Sequence, residues 1–168
     1  GALNLGTGNS SYVGTEDSPR CEPGGKGLNQ ATALANLRVR THLIGLHGQE
    51  PLHQVIVDHL NAVSRKGFDL RHNDSDGFRR VEAYGGGIVS GVGMIVVGNT
   101  ATKVTISCPG TNAYVGETQV QYASRLLQDP SFPIAIVLMA LEVPFEPMCK
   151  VARQAASNGC LVALKPSP

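Results

Sequence analysis

The sequence lacks the residue patterns from which metal sites, disulfide scaffolds and membrane spans are made. Its four cysteines, Cys21, Cys108, Cys149 and Cys160, are scattered and form no C-x-x-C pair. This spacing argues against a structural zinc site and against a secreted disulfide scaffold. The five histidines include no H-E-x-x-H motif, so no metal site is predicted. The apolar runs, such as IAIVLMAL, are far shorter than the ~20 residues that cross a bilayer.

The sequence also lacks an excess of charge of either sign. The net charge is +1 and the calculated pI is about 7.9, so neither a nucleic acid nor an anionic membrane is indicated as a partner. No basic-then-apolar secretory leader is present, which favours a cytoplasmic location. A chain of 168 residues with 42% hydrophobic residues is long enough for one globular domain with its own core.

The chain alternates segments typical of helices and of strands. Helical spacing is found at 27–37, 51–67, 116–128 and 144–159, and β-rich segments at 41–46, 92–97, 103–107, 134–139 and 160–166. The segments 92–97 and 103–107 are separated by a turn sequence and predict a hairpin. The wholly apolar segments after residue 133 predict strands covered on both faces. This order predicts an α/β domain with a central, mostly parallel sheet flanked by helices.

Two of the predicted helices carry a clear apolar stripe. In the helix at 51–67, Pro51 suits the first turn and Gly67 the C-cap. Its stripe consists of Leu52, Val55, Ile56, Leu60 and Val63. The helix at 144–159 is predicted to turn inward Phe145, Met148, Val151, Ala152 and Ala155, with Gly159 as its cap.

A glycine-rich stretch, EPGGKGLNQATALANL, leads directly into the first predicted helix. Glycines let a backbone approach a ligand closely, and a helix N-terminus offers unpaired N–H donors. Lys26 adds a positive charge, and Asn29, one turn further on, adds an amide that both donates and accepts. The stretch matches neither the Walker A pattern nor G-x-G-x-x-G. From the residues alone, a ligand cradle and an ordinary loop-to-helix junction therefore both remain open.

Three motifs in order along the chain resemble the ribokinase family of carbohydrate kinases, the phosphofructokinase-B superfamily. They are GGKGLNQATALANL with THLIGLHG, SGVGMIVV with ISCPGTNAYV, and VLMALEVP with VALKPSP. The resemblance implies a ribokinase-like α/β fold with a small β lid at about 7–22 and 81–107. It implies that residues 1–168 form a single domain that lacks the family's C-terminal ATP-binding half. A truncation is also expected because the last strand lacks a following helix.

The resemblance implies a sugar-binding site built from Asn4, Gly25, Lys26, Asn29 and Glu142. Glu142 would hydrogen-bond the sugar from the carboxyl edge of the sheet. Its position agrees with this role, because it follows a buried strand and precedes a helix, where open α/β sheets bind ligands. The alternative is that Glu142 caps the following helix as an ordinary carboxylate.

The resemblance also implies an activity, which is transfer of the ATP γ-phosphoryl group to the 5-hydroxyl of D-ribose. The implied cofactors are ATP and Mg²⁺, with a monovalent cation, and the implied partner is a small sugar. A homodimer formed through the lid is also suggested. Two alternatives stay open: a nucleoside or fructose kinase of the same family, and a truncated paralogue that binds a sugar or a partner without catalysis.

Some residues depart from the family's pattern. Gly6 stands where the family has an Asp that grips sugar hydroxyls, and Lys165 replaces the Asn of an Asn-Pro-Ala-Pro segment. The catalytic base of the family is the Asp of a Gly-Ala-Gly-Asp motif, and this sequence contains no Gly-Asp dipeptide. No catalytic residue is therefore assigned, and the isolated chain is predicted to be inactive.

Overall fold

The computed structural model of the chain describes residues 21–48, 51, 53–65, 70–71, 78–80, 87–97 and 102–166. The helices are α1 (Lys26–Asn36), α2 (His53–Arg65), α3 (Glu117–Leu127) and α4 (Phe145–Ser157). The strands are β1 (Thr41–His42), β2 (Gly45–His47), β3 (Leu70–Arg71), β4 (Phe78–Arg80), β5 (Val92–Val97), β6 (Lys103–Cys108), β7 (Ile136–Ala140) and β8 (Leu161–Lys165). The four predicted helices are all present. The predictions for Asn4, Gly6, Leu52, Gly67 and most of the lid concern residues outside these ranges.

The described strands form four pairs, and three of these pairs are parallel. β1 pairs with β3, β2 with β4 and β7 with β8 in parallel register. β5 and β6 pair antiparallel, from Val92 opposite Cys108 to Val97 opposite Lys103. The predicted hairpin pairing is therefore confirmed. The dominance of parallel pairs separated by helices is that of an α/β fold.

The core of the first half lies between α1 and α2. Their buried residues meet in one cluster, made of Leu28, Ala31, Ala35, Leu60 and Val63. The apolar residues recur every three or four positions, so each helix presents one continuous stripe to the other. Ala35 is completely buried, so the absence of a longer side chain lets the helices approach closely. Burial of a side chain such as Leu60 stabilises the fold by about 1.5–3 kcal/mol.

The second half is held by the packing of α3 on α4. The hydroxyl of Ser124 donates to the side chain of Gln154 at 2.6 Å, which joins the two helices beside their apolar contacts. On the exposed side, the ammonium of Lys150 lies 3.1 Å from Glu117 and 3.5 Å from Glu146. The hydrogen bond that Lys150 donates to Glu117, together with the negative charges of Glu117 and Glu146, raises the pKa of Lys150.

Two predictions about burial are wrong. Phe145 was expected to face inward but is 67% exposed, because it begins α4 one turn before Met148, the first buried residue of that helix. The strands β7 and β8 were expected to be covered on both faces, yet Ile136, Leu138 and Leu161 are 53%, 44% and 62% exposed. Ile136 is opposite Leu161 in the register, so these residues share one face. Among the described elements, that face of the pair is not covered by a helix.

No helix in the described ranges is both long enough and apolar enough to cross a membrane.

Candidate functional site

The glycine-rich stretch ends at the N-terminus of α1, where Gly25 is the N-cap residue. Its φ of +98° lies in the left-handed region that glycine adopts without the steric cost of a side chain. The first helical turn closes when the backbone N–H of Asn29 donates to the carbonyl of Gly25 at 2.9 Å. Gly25 has no side chain to cap the helix, so the first N–H groups of α1 need acceptors from elsewhere.

Glu142 is brought to this helix end from the opposite half of the chain. It follows the last residue of β7, Ala140, in a tight turn in which its N–H donates to the Ala140 carbonyl at 2.8 Å. Pro144 then precedes α4 and suits the start of a helix, because its φ is fixed and the residue lacks an N–H. The turn therefore places the carboxylate at the carboxyl end of a parallel strand, which is where open α/β sheets bind ligands.

The carboxylate of Glu142 contacts Lys26 through both of its oxygens. The backbone N–H of Lys26 donates to Oε2 at 2.8 Å, and the Lys26 ammonium lies 3.3 Å from Oε1. The two side chains are 24% and 31% exposed, so the pair is accessible to a ligand without being fully solvated. Both contacts are charge-assisted, and the backbone contact also places a negative charge at the positive end of the helix dipole.

Gly25 is required at this point for its conformation and not for space. A Cβ built on Gly25 would lie 3.8 Å from Oε2 of Glu142, which is ordinary van der Waals contact. The positive φ is therefore the feature that only glycine supplies cheaply. The loop reaches the carboxylate because the backbone turns sharply at this residue.

The structure brings together three of the five residues predicted to contact the sugar: Gly25, Lys26 and Glu142. Asn29 lies one turn further along α1 with an exposed side chain, and Asn4 is outside the described residues. The alternative interpretation expected Glu142 to cap the helix that follows it, α4. Glu142 instead caps α1. The direct ion pair was not predicted, because no local pattern links residues 116 positions apart.

The pair combines donors and an acceptor within a few ångströms. The carboxylate accepts hydrogen bonds, while the ammonium and the backbone N–H donate them. A polyol suits such a set, since each hydroxyl of a sugar both donates and accepts. Among the described residues, no group of three or more His, Cys, Asp or Glu side chains is arranged to hold a metal ion.

Known proteins share part of their sequence and fold with this chain. No protein-family model matches the chain. The ribokinase of Haemophilus influenzae is 26% identical over 145 residues, which are 86% of this chain and 42% of that protein. The chain therefore spans less than half the length of this curated relative.

Two solved ribokinases have a similar structure. The ribokinase of Thermotoga maritima matches with a TM-score of 0.64 at 22% identity, over 87% of this chain and 41% of its own. The ribokinase of Giardia lamblia matches with a TM-score of 0.66 at 20% identity, over 86% of this chain and 41% of its own. The predicted fold class is therefore confirmed: the chain has the ribokinase-like α/β fold, and its sequence resembles that of ribokinases over less than half of their length.

Proposed function

We propose that this chain is the sugar-binding part of a ribokinase-type carbohydrate kinase. One observation carries the proposal, which is the meeting of Lys26 and Glu142 at the N-terminus of α1. These residues come from opposite halves of the sequence, and a fold held only by its core does not need a partly exposed ion pair at this edge. The backbone contact caps α1, but the ion pair itself adds little to stability, typically ~0–1 kcal/mol for a surface pair. Binding of a ligand is therefore the better explanation of the lysine side chain beside the carboxylate.

A sugar would bind by exchanging hydrogen bonds with this pair. The carboxylate of Glu142 would accept from two neighbouring hydroxyls, and the ammonium of Lys26 would donate to a hydroxyl oxygen. The backbone N–H of Lys26 would keep the carboxylate in place during the exchange. Hydrogen bonds to charged groups are worth about 1.5–3 kcal/mol each, so two or three of them support specific binding of a small polyol.

We further propose D-ribose as the sugar and its 5-hydroxyl as the acceptor of the γ-phosphoryl group of ATP. Ribose, ATP, Mg²⁺ and the monovalent cation come from the resemblance to ribokinases. The described residues offer no acidic cluster for a metal ion, so no step of phosphoryl transfer is assigned to them.

The antiparallel β5–β6 pair would belong to the lid at 7–22 and 81–107. A single domain over residues 1–168, a cytoplasmic location and a homodimer belong to the same proposal.

A second candidate is a module that binds a sugar or a partner without catalysis. It is favoured by Gly6, which stands where the family has an Asp that grips sugar hydroxyls. Loss of that acceptor leaves buried hydroxyls of a bound sugar unpaired, at a cost of about 1–3 kcal/mol. This candidate predicts binding without turnover, and the first predicts the same for the isolated chain.

The proposal is tested by titration calorimetry of the chain with D-ribose, and with adenosine and D-fructose in parallel. We expect ribose to bind, and Glu142→Gln to weaken binding at least tenfold because the substitution removes the charge. Glu146→Gln is the matched control, since Glu146 lies four residues further on and its side chain is 82% exposed. Its affinity for ribose should equal that of the unchanged chain.

Three outcomes are informative. Absence of heat with all three ligands would overturn the proposed sugar site. Tighter binding of adenosine or fructose would replace ribose by that ligand. An ATP-dependent phosphorylation assay run on the same sample should show no product, and turnover would refute the prediction that the isolated chain is inactive.

A further inference from the structure

Two hydroxyl side chains are buried at a place that the sugar site does not use. Ser90 is 3% exposed and Thr111 is completely buried. Ser90 lies just before β5, and Thr111 lies just after β6, in the 3₁₀ turn Gly110–Tyr114. They therefore lie at the same end of the β5–β6 pair, where Val92 is opposite Cys108. Burial of a hydroxyl is unfavourable unless the group is hydrogen-bonded, so their partners are informative.

Both hydroxyls bond to the same point, the carboxyl end of β2. The backbone N–H of Gly48 donates to Oγ of Ser90 at 2.8 Å, and the hydroxyl of Thr111 donates to the carbonyl of Leu46 at 3.1 Å. Thr111 also donates its backbone N–H to the carbonyl of Val89 at 2.9 Å. The start of β5 and the end of β6 are thus tied to each other and to β2.

Two glycines allow this close approach. A Cβ on Gly110 would lie 2.4 Å from the carbonyl oxygen of Val89 and 2.5 Å from that of Ser90. A Cβ on Gly91 would lie 2.9 Å from the carbonyl oxygen of Pro109. Such distances are not found for real side chains, so the backbones meet here only because these residues lack a Cβ.

Within the described ranges, the β5–β6 pair has little else to fix its orientation. Met94, Ile95 and Val97 are 57%, 58% and 56% exposed, and the only extensive contacts of β5 and β6 with described elements are with each other. An isolated two-stranded antiparallel pair is only marginally stable in water. The direction in which the pair projects must therefore be set where it joins the rest of the molecule.

We propose that Ser90 and Thr111 form a hydroxyl lock that fixes the β5–β6 pair to the end of β2. They act as positioning residues, since each holds a strand end through one buried hydrogen bond to the same short segment. The lock is independent of the proposed sugar function. A role in a lid does rest on that proposed function: if the β5–β6 pair belongs to a lid, the lock determines where the lid stands relative to the sheet.

The test is hydrogen–deuterium exchange measured on the folded chain. Thr111→Val removes the hydroxyl while keeping the shape, and Ser90→Ala removes the acceptor of the Gly48 N–H. In each variant we expect the cross-strand amides of β5 and β6 to exchange at least tenfold faster, with the amides of α4 unchanged. Thr105→Val is the control, because Thr105 lies on an exposed part of β6 and outside the lock.

Rescue separates positioning from general stability. Thr111→Ser restores the hydroxyl and should return the exchange of β5 and β6 to that of the unchanged chain. Exchange that rises equally in α4 and in β5–β6 would show a general loss of stability and would overturn the proposal. Unchanged exchange in Thr111→Val would overturn it as well, and this variant stays informative if Ser90→Ala does not fold.

Discussion

Substitution of Gly110 by alanine should destabilise the protein more than the same substitution at another glycine with positive φ. Gly110 has φ +50° and Gly159 has φ +78°, so both lie in the left-handed region. A Cβ on Gly110 would lie 2.4 Å from the Val89 carbonyl oxygen, whereas nothing lies within 4 Å of a Cβ on Gly159. The two variants therefore share the conformational cost and differ in the steric cost.

The magnitudes follow from this comparison. A left-handed conformation costs an alanine roughly 1–2 kcal/mol, which is the whole effect expected for Gly159→Ala. Forcing an extra carbon into a packed site adds about 1–3 kcal/mol in Gly110→Ala. For a chain of this size, 1 kcal/mol corresponds to about 2–4 °C in Tm, so Gly110→Ala should melt roughly 2–12 °C below Gly159→Ala.

Thermal unfolding followed by circular dichroism measures this difference, and urea unfolding gives the corresponding free energies. Equal values of Tm for the two variants would refute the reasoning. They would mean that the backbone at residues 89–90 moves away from residue 110 at no cost, so that the close approach is not a requirement of the fold.

Further expectations concern the core, the ion pair and the exposed charges. Leu60→Ala should lower the free energy of unfolding in urea by about 2–5 kcal/mol, because Leu60 is 1% exposed in the core between α1 and α2; a loss below 1 kcal/mol would contradict this packing. Glu142→Ala should lower the free energy of unfolding by about 0.5–2 kcal/mol, as the loss of a helix cap. Lys26→Met should lower it by less than about 1 kcal/mol, because the backbone N–H of residue 26 still donates to the carboxylate. The reverse order in urea unfolding would argue against capping of α1. The raised pKa of Lys150 means that its contribution to stability is fully present at neutral pH and is lost as the pH rises through that pKa. Lys150→Met should therefore reduce the alkaline decrease in Tm, and an identical decrease in both proteins would show that the contacts with Glu117 and Glu146 contribute nothing.

The helices could be predicted from the sequence because their periodicity is local information. In α1 and α2 the apolar residues recur at helical spacing, and the residues that form the stripe, such as Leu60 and Val63, are the buried ones. The antiparallel β5–β6 pairing could be predicted for the same reason, since a short turn sequence separates two β-rich segments.

The features on which the two proposals rest depend on contacts between distant residues. No local pattern predicts that the backbone N–H of Lys26 donates to Glu142. Nor does one predict that the hydroxyls of Ser90 and Thr111 bond to the end of β2. Composition was also misleading for β7 and β8, because a wholly apolar strand predicts burial on both faces but does not say which element provides it. The prediction that Phe145 is buried is wrong for the same reason, since an apolar residue at the end of a helix has no fixed partner.

The exposed face formed by Ile136, Leu138 and Leu161 has a practical consequence for work with this polypeptide. Contiguous apolar surface attracts other apolar surfaces, so concentrated solutions should form reversible aggregates and should bind a hydrophobic fluorescent dye. Replacement of Leu138 by threonine should lower both the light scattering and the dye signal. The same dye can then report when a binding partner or another stretch of polypeptide occupies this sheet.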